Sequence, residues 1–190
     1  MKLAAMTTLS AAALMLAGCG QKNDAATETG SNMEATNTAM ATPPMATAAS
    51  AGQTFANEAA ASDAFEIATS RAALEKSTSP AIKKFAQSMI DAHTASTAKL
   101  KTAASAAAPA ITPDPTLTAD QQAKLDAMNA ASGKAFDQAY VAGQTEGHQM
   151  TLDKLRAYSA NGDVPTLKAF ATEMAPTVAA HLNMAKGLKA

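Results

Sequence analysis

Tryptophan is absent from the chain, and only five phenylalanines and two tyrosines supply aromatic side chains. No stretch alternates apolar and polar residues with a period of two, so the sequence contains no pattern typical of a half-buried β-strand. Alanine is abundant instead, and alanine is the residue that most favours the helix. The composition therefore predicts a protein made of packed α-helices.

Charge of one sign is nowhere concentrated. Residues 53–190 carry 13 lysines and arginines against 13 aspartates and glutamates, without a run of like charge. A nucleic-acid-binding surface needs a basic patch, and a helix that lies on anionic lipid needs a basic face. We therefore expect no nucleic acid as a partner, and the sequence identifies no protein partner.

Cysteine occurs once, as Cys19, so an intrachain disulfide is excluded and the fold must depend on packing or on a ligand. The sequence also lacks a glycine-rich phosphate loop and a Ser/His/Asp arrangement. These absences point to no established class of enzyme. A protein without catalytic activity is the favoured interpretation, and the question of an enzyme stays open.

The first 20 residues, MKLAAMTTLSAAALMLAGCG, contain one lysine, a short apolar run and small residues before the cysteine. This order is typical of a secretory signal peptide, and the run is too short to span a bilayer. The last four residues before Gly20, L-A-G-C, resemble the lipobox of bacterial lipoproteins. The resemblance implies a signal peptide at 1–18 and a lipidated Cys19 that anchors the chain in a membrane. Because Gly20 and not aspartate follows, it implies the periplasmic face of the outer membrane.

The segment after the cysteine, residues 20–52, has no periodic apolar face and contains Pro43 and Pro44. Such a segment cannot bury enough surface to offset its ordering entropy, so we expect 19–52 to be a lipid anchor and disordered tether. A flexible chain of about 33 residues spans roughly 30 Å. The remaining part, 53–190, has the size of one domain.

One pattern of residues occurs twice in this domain. PAIKKFAQSM, from Pro80 to Met89, returns as PTLKAFATEM, from Pro165 to Met174, 85 positions later. Each proline suits the first turn of a helix, so each copy begins the second helix of a hairpin. Duplication of a helical hairpin explains the shared spacing, and convergence of two amphipathic helices that each follow a proline is the alternative.

Capping residues and prolines predict five helices, over about 54–76, 80–107, 119–131, 134–160 and 165–188. About 25 residues separate the two hairpins, which is far more than an up-down-up-down bundle needs. The sequence therefore predicts an all-α fold, a ferritin-like four-helix bundle whose long crossover carries a short helix.

All three histidines fall on the apolar stripe of their helices and are expected to point inward. Glu66 falls on the face of small and apolar residues of the first helix, at nearly the height of His93. A buried carboxylate without a partner costs several kcal/mol. We therefore expect Glu66 to contact His93 or a metal ion.

Three interpretations of these inward residues stay open. The first is a site for one transition metal ion, iron, zinc or copper, because imidazole and carboxylate suit these metals. Its ligands would be Glu66, His93, His148 and His181, with Asp137, Tyr140 and Gln144 around them. The second is a purely structural or interaction module of the cell envelope with a buried histidine and carboxylate network. The third is a metal-dependent redox enzyme, and the absence of the Glu-x-x-His pairs of di-iron bundles weighs against it.

Three segments resemble one family of exported bacterial proteins. They are IDAH ending at His93, SGKAFDQAYVAGQTEGH ending at His148, and FATEMAPTVAAH ending at His181. The family is known as a domain of unknown function of the ferritin-like group, often labelled as outer-membrane proteins. The resemblance implies the fold and the exported location, and it implies no activity. The residues on its elements are Glu66, Asp91, His93, Phe136, Asp137, Tyr140, His148, Pro176 and His181.

Overall fold

The computed structural model describes residues 50–190. The expected signal peptide, Cys19 and the tether as far as residue 49 lie outside this range, so those predictions stay predictions. Within residues 50–190 all regular structure is helical, which confirms the all-α prediction. The helices are α1 (Ala51–Lys76), α2 (Pro80–Ser105), α3 (Ala119–Ala130), α4 (Gly133–Asn161) and α5 (Pro165–Gly187).

The helix ends follow the local signals in the sequence. α1 begins three residues earlier than expected, because the side chain of Ser50 accepts a hydrogen bond from the backbone N of Gln53 at 3.1 Å. Residues 51 and 52, which the sequence analysis places in the tether, form the start of α1. Pro80 and Pro165 occupy the first turns of α2 and α5, as predicted. Gly133 opens α4 with a φ of 55°, a conformation that glycine adopts without strain.

Each long helix runs antiparallel to both of its neighbours. Short turns join α1 to α2 and α4 to α5, while α1 also packs against α4 and α2 against α5. Across these last two interfaces, later residues of one helix pair with earlier residues of the other. The pairs are Ser62 with Thr151, Ser70 with Tyr140, Lys99 with Glu173 and Ala103 with Thr166.

The connection between the hairpins, residues 106–132, runs along the whole length of α1. Near its start, the backbone O of Thr112 accepts a hydrogen bond from Gln53 Nε2 at 2.8 Å, at the first turn of α1. Near its end, the backbone O of Ala131 accepts one from Lys76 Nζ at 3.1 Å, at the last residue of α1. Because the chain returns in this way, α2 and α4 point in the same direction. α3 lies in this connection and packs against α1 and α4.

The core consists of two apolar clusters with a layer of buried polar residues where they meet. Phe55, Leu100, Leu155 and Phe170 belong to the first cluster, and Phe65, Ile82, Phe85 and Phe136 belong to the second. All four long helices contribute to the polar layer, which contains Asp63, Glu66, Thr69, Ser70, His93, Ser96, Gln144, His148 and His181.

No helix within residues 50–190 has both the length and the mean hydropathy that a membrane crossing requires.

Phe85 and Phe170 occupy equivalent positions of the repeated pattern, and each is 5% exposed in a different cluster. We expect Phe85→Ala and Phe170→Ala each to lower the free energy of unfolding by about 3–5 kcal/mol, because each leaves a cavity in a packed core. Urea denaturation followed by circular dichroism measures this loss. Met184→Ala, at a residue 47% exposed, is the control and should change stability by less than about 0.5 kcal/mol. A loss below 1 kcal/mol for either phenylalanine would contradict the assigned packing.

Candidate metal centre

The three histidines of the chain come together in the polar layer. His93 lies on α2, His148 on α4 and His181 on α5, and all three are buried, as the helical periodicity predicts. Their ring centroids are 5.5, 5.6 and 5.8 Å apart. Each ring offers one nitrogen, and these three nitrogens lie within 4.8 Å of one another. This cluster of three imidazoles is called the triad below.

Hydrogen bonds to acceptors fix the proton positions on two of the rings. Nδ1 of His93 donates to Oδ1 of Asp63 at 2.8 Å, and Nδ1 of His148 donates to the backbone O of Gln144 at 2.8 Å. Because a carboxylate and a carbonyl only accept, the proton of each ring is on Nδ1 and the lone pair of the neutral ring is on Nε2. Nε2 of His93, Nε2 of His148 and Nδ1 of His181 are buried and have no hydrogen-bond partner.

Asp63 is the residue that the sequence analysis missed. It is 5% exposed on α1, and its other oxygen, Oδ2, accepts a hydrogen bond from the hydroxyl of Thr97 at 3.0 Å. The partner of His93 is thus Asp63, where Glu66 was expected. A carboxylate that holds Nδ1 of a histidine whose Nε2 is free is the usual arrangement behind a metal-ligating histidine. Asp63 lies three residues before Glu66, and residues three apart are neighbours on a helix surface. This spacing is the feature of the sequence that could have indicated a second carboxylate near His93.

Glu66 lies beside His148, and its carboxylate does not belong to the cluster of candidate ligand atoms that the three histidines form. Its Oε1 is 4.0 Å from Nδ1 of His148, the nitrogen that already donates a hydrogen bond to the backbone O of Gln144. Its Oε2 has no hydrogen-bond partner. Burial raises the pKa of Glu66 from 4.5 to about 7, against the opposing effects of the charge on His93 and the amide of Gln144. A Cβ on Gly147 would lie 3.1 Å from Oε1, so glycine gives this carboxylate its space.

The three residues expected around the site differ in how close they come to it. Gln144 contributes its backbone carbonyl to His148, and its side-chain Nε2 donates to Thr69 Oγ1 at 3.3 Å. Tyr140 hydrogen-bonds Ser70 at 2.9 Å, and burial raises its pKa. Asp137 is buried with one unpartnered oxygen. It lies 11 residues before His148, about 16 Å along α4, so it cannot be an outer ligand as the sequence analysis expected.

The environment divides the triad into two neutral rings and one that favours its proton. Burial lowers the pKa of His148 and of His181 to about 4, and the positive charge on His93 contributes in the same direction. For His93, burial also opposes the charged form, but the hydrogen bond to Asp63 and the charges of Glu66 and Asp63 outweigh it, so its pKa is raised. Neutral imidazole is the form that binds metal, and a metal ion bound to His93 would release its proton.

Residues 35–188 match the family described as Domain of unknown function (DUF4142). The chain belongs to this family. The resemblance to a family of unknown function is therefore confirmed, and membership in DUF4142 assigns no activity. No curated protein matches the chain.

Among solved structures, the chain is similar to "CopM in the Cu(I)-bound form", with a TM-score of 0.59 and 22% sequence identity. The match covers 72% of this chain and 93% of that chain. At this level of identity the similarity shows the fold alone.

The hydrogen bond between Asp63 and His93 leads to a prediction about the pKa of His93. We expect Asp63→Asn to lower the pKa of His93, because it removes a negative charge and replaces the carboxylate by a weaker acceptor. An NMR titration of the imidazole resonances in the metal-free protein measures this shift. Because the folded pKa of His93 is raised, the pair stabilises the fold below the unfolded pKa of about 6.5, and this stability is lost as pH rises through the folded pKa. Asp91→Asn, at an exposed carboxylate of α2, is the control, and an equal shift in both variants would refute the pairing.

Proposed function

We propose that this chain binds one transition metal ion, with copper(I) favoured, through Nε2 of His93, Nε2 of His148 and Nδ1 of His181. Two observations carry the proposal: one nitrogen of each of the three rings lies within 4.8 Å of the others, and each ring has a buried nitrogen without a hydrogen-bond partner. Each unpartnered buried polar group costs about 1–3 kcal/mol. A metal site requires such nitrogens, whereas a purely structural network would leave each of them at this cost.

The residues present fit such an ion. Two of the three histidines have the outer hydrogen bonds that hold a ligating ring in place, through Asp63 and the carbonyl of Gln144. Bonds of about 2 Å from a metal to imidazole place ligand nitrogens at most about 4 Å apart. The separation of up to 4.8 Å therefore closes with a movement of the rings of about 1 Å.

Copper(I) is favoured over iron and zinc by two considerations. Three neutral imidazoles add no negative charge of their own, so a monovalent ion is buried at a lower cost in hydration than a divalent one. The similarity in fold to the copper-bound CopM supports the same metal. A bound copper ion would supply an electron-transfer centre, but we propose binding of the ion and no catalysis as the role of this chain.

We also propose that the architecture is the ferritin-like four-helix bundle. Two helical hairpins and a connection that runs along the whole length of α1 support it, because one long crossover between two hairpins characterises that group. In such bundles, metal sites form from side chains of facing helices, and here α2, α4 and α5 each provide one histidine.

The location is part of the proposal and rests on the N-terminal sequence. A signal peptide at 1–18 and a lipidated Cys19 would place the folded domain at the periplasmic face of the outer membrane, at the end of its tether. The site would then receive metal ions that reach the periplasm.

Copper binding is tested on the full-length chain carrying Cys19→Ser, so that no thiolate contributes. We expect about one equivalent of Cu(I), measured anaerobically by competition with a chromogenic chelator. His93→Ala, His148→Ala and His181→Ala should each weaken binding by at least about 100-fold, since loss of an outer partner alone costs roughly 10–100-fold.

Ser96→Ala is the matched control, because it changes a buried polar residue one turn from His93 without removing a nitrogen. Iron(II) and zinc(II) are titrated in parallel. A chain that binds none of the three metals, or three histidine variants that keep the parent affinity, would leave the histidines as structural residues and refute the proposal.

The location is tested by cell fractionation in a Gram-negative host. We expect the parent chain in the outer-membrane fraction and Cys19→Ser in the soluble periplasmic fraction, because a stable anchor needs the acyl chains. Gly20→Asp should move the chain to the inner membrane. Recovery of the parent chain in the soluble periplasmic fraction would exclude lipidation as the anchor.

A further inference from the structure

A groove of about 420 Å³ opens between α1 and α4 and is covered by the start of α3. Its apolar surface includes Phe55, Phe65, Met150 and Leu155. Two exposed ion pairs flank it, Lys154 with Glu58 at 3.0 Å and Lys124 with Glu146 at 2.9 Å. We call it the outer groove.

A second, much smaller cavity of about 20 Å³ lies among the four long helices, next to the triad. His93, His181 and Asp63 contribute to its lining. Its volume is about that of a single water molecule. We call it the inner cavity.

The outer groove and the inner cavity are separated by a thin wall. Three residues line both the outer groove and the inner cavity: Ala59, Thr151 and Leu155. At these positions the wall between the two spaces is one side chain thick. At the same wall, Oγ of Ser62 and Oγ1 of Thr151 form a hydrogen bond of 3.0 Å between α1 and α4. Ser62 and Thr151 are only half-buried. Besides Leu155, the wall thus consists of small side chains, and a polar contact between two half-buried residues closes the interface here.

The charges along the outer groove favour a cation. Four carboxylates line it, and the two lysines are paired with Glu58 and Glu146. The two carboxylates left over are Asp120, at the start of α3, and Glu66. Glu66 is 2% exposed, has an unpartnered Oε2, and lies 4.0 Å from a ring nitrogen of His148. A cation in the groove thus meets a buried carboxyl group next to the triad. The negative charge not neutralised by the lysines comes from Asp120 and from Glu66 where it is ionised, and excess negative charge in a cleft raises the local concentration of cations.

We infer that the outer groove is the route by which a metal ion reaches the triad, and that the hydrogen bond between Ser62 and Thr151 closes this route. The inference rests on the proposed metal binding. On this route the Glu66 carboxylate would attract the ion on its way inward. This role agrees with the position of Glu66, which does not belong to the cluster of candidate ligand atoms. It also explains small side chains along the route, since a Cβ on Gly147 would press on Glu66 Oε1 at 3.1 Å.

Transfer kinetics of Cu(I) test the route on the full-length chain carrying Cys19→Ser. Stopped-flow absorbance follows transfer from the coloured Cu(I)–bicinchoninate complex to the protein, and excess bicinchoninate gives the reverse rate. Ser62→Leu extends a side chain into the wall and should slow uptake and release by the same factor, at least about tenfold, with Kd unchanged. A higher barrier changes both rates equally. Ser62→Ala removes the hydrogen bond without adding bulk, so both rates should rise.

Ala92→Leu is the matched control. Ala92 is half-buried on α2 and lines the inner cavity on the side away from the outer groove. Slower transfer in Ala92→Leu with parent rates in both Ser62 variants would overturn the route through the groove. A change of Kd in Ser62→Ala would also overturn it, because it would make Ser62 part of the binding site. If the parent chain does not bind Cu(I), the proposed function itself fails, and this outcome is distinct from unchanged rates in a chain that binds.

Discussion

Burial of five ionisable side chains in one layer is the constraint on which the rest of the structure depends. Asp63, Glu66 and the triad are all buried, at 2–8% exposure, and a buried charge without a partner is far more costly than a buried apolar group. The two apolar clusters on either side keep this layer in register, since every long helix contributes to both the packing and the polar layer. The hydrogen bond from His93 to Asp63 pairs one charge with another. One nitrogen of each ring of the triad lies within 4.8 Å of the others, so under the proposed metal binding one ion would satisfy three buried groups.

The repeated pattern explains the scaffold but not the site. The offset of 85 positions aligns Phe85 with Phe170, and these two residues belong to the two apolar clusters. The same offset aligns His93 with Val178 and Ser96 with His181. The position equivalent to each of these histidines therefore holds another residue type in the other copy. All four of these residues line the inner cavity. Duplication of a hairpin would explain the shared packing positions. The histidines occupy positions at which the two copies differ, so duplication would not explain the triad.

Most of the fold could be predicted from the sequence, because prolines, serine caps and Gly133 act locally and the helix bounds follow within about three residues. Inward histidines were also predictable from periodicity. Asp63 was not, because α1 is rich in alanine and is buried against both α2 and α4, so no single stripe describes its buried face. Asp137 was placed near the site because periodicity reports the face of a helix, while the distance along the helix decides contact.

A site of this kind links ligand binding to stability. A metal ion that binds only the folded chain stabilises it by RT ln(1 + [L]/Kd), about 2.7 kcal/mol at a free concentration of 100 Kd. The structure keeps Nε2 of His93, Nε2 of His148 and Nδ1 of His181 buried without hydrogen-bond partners, each at a cost of about 1–3 kcal/mol. Under the proposed metal binding, a bound ion would offset this cost. Glu66 has an unpartnered oxygen as well, and its side chain lines the outer groove. The polar layer therefore extends from the triad to the proposed route of the cation.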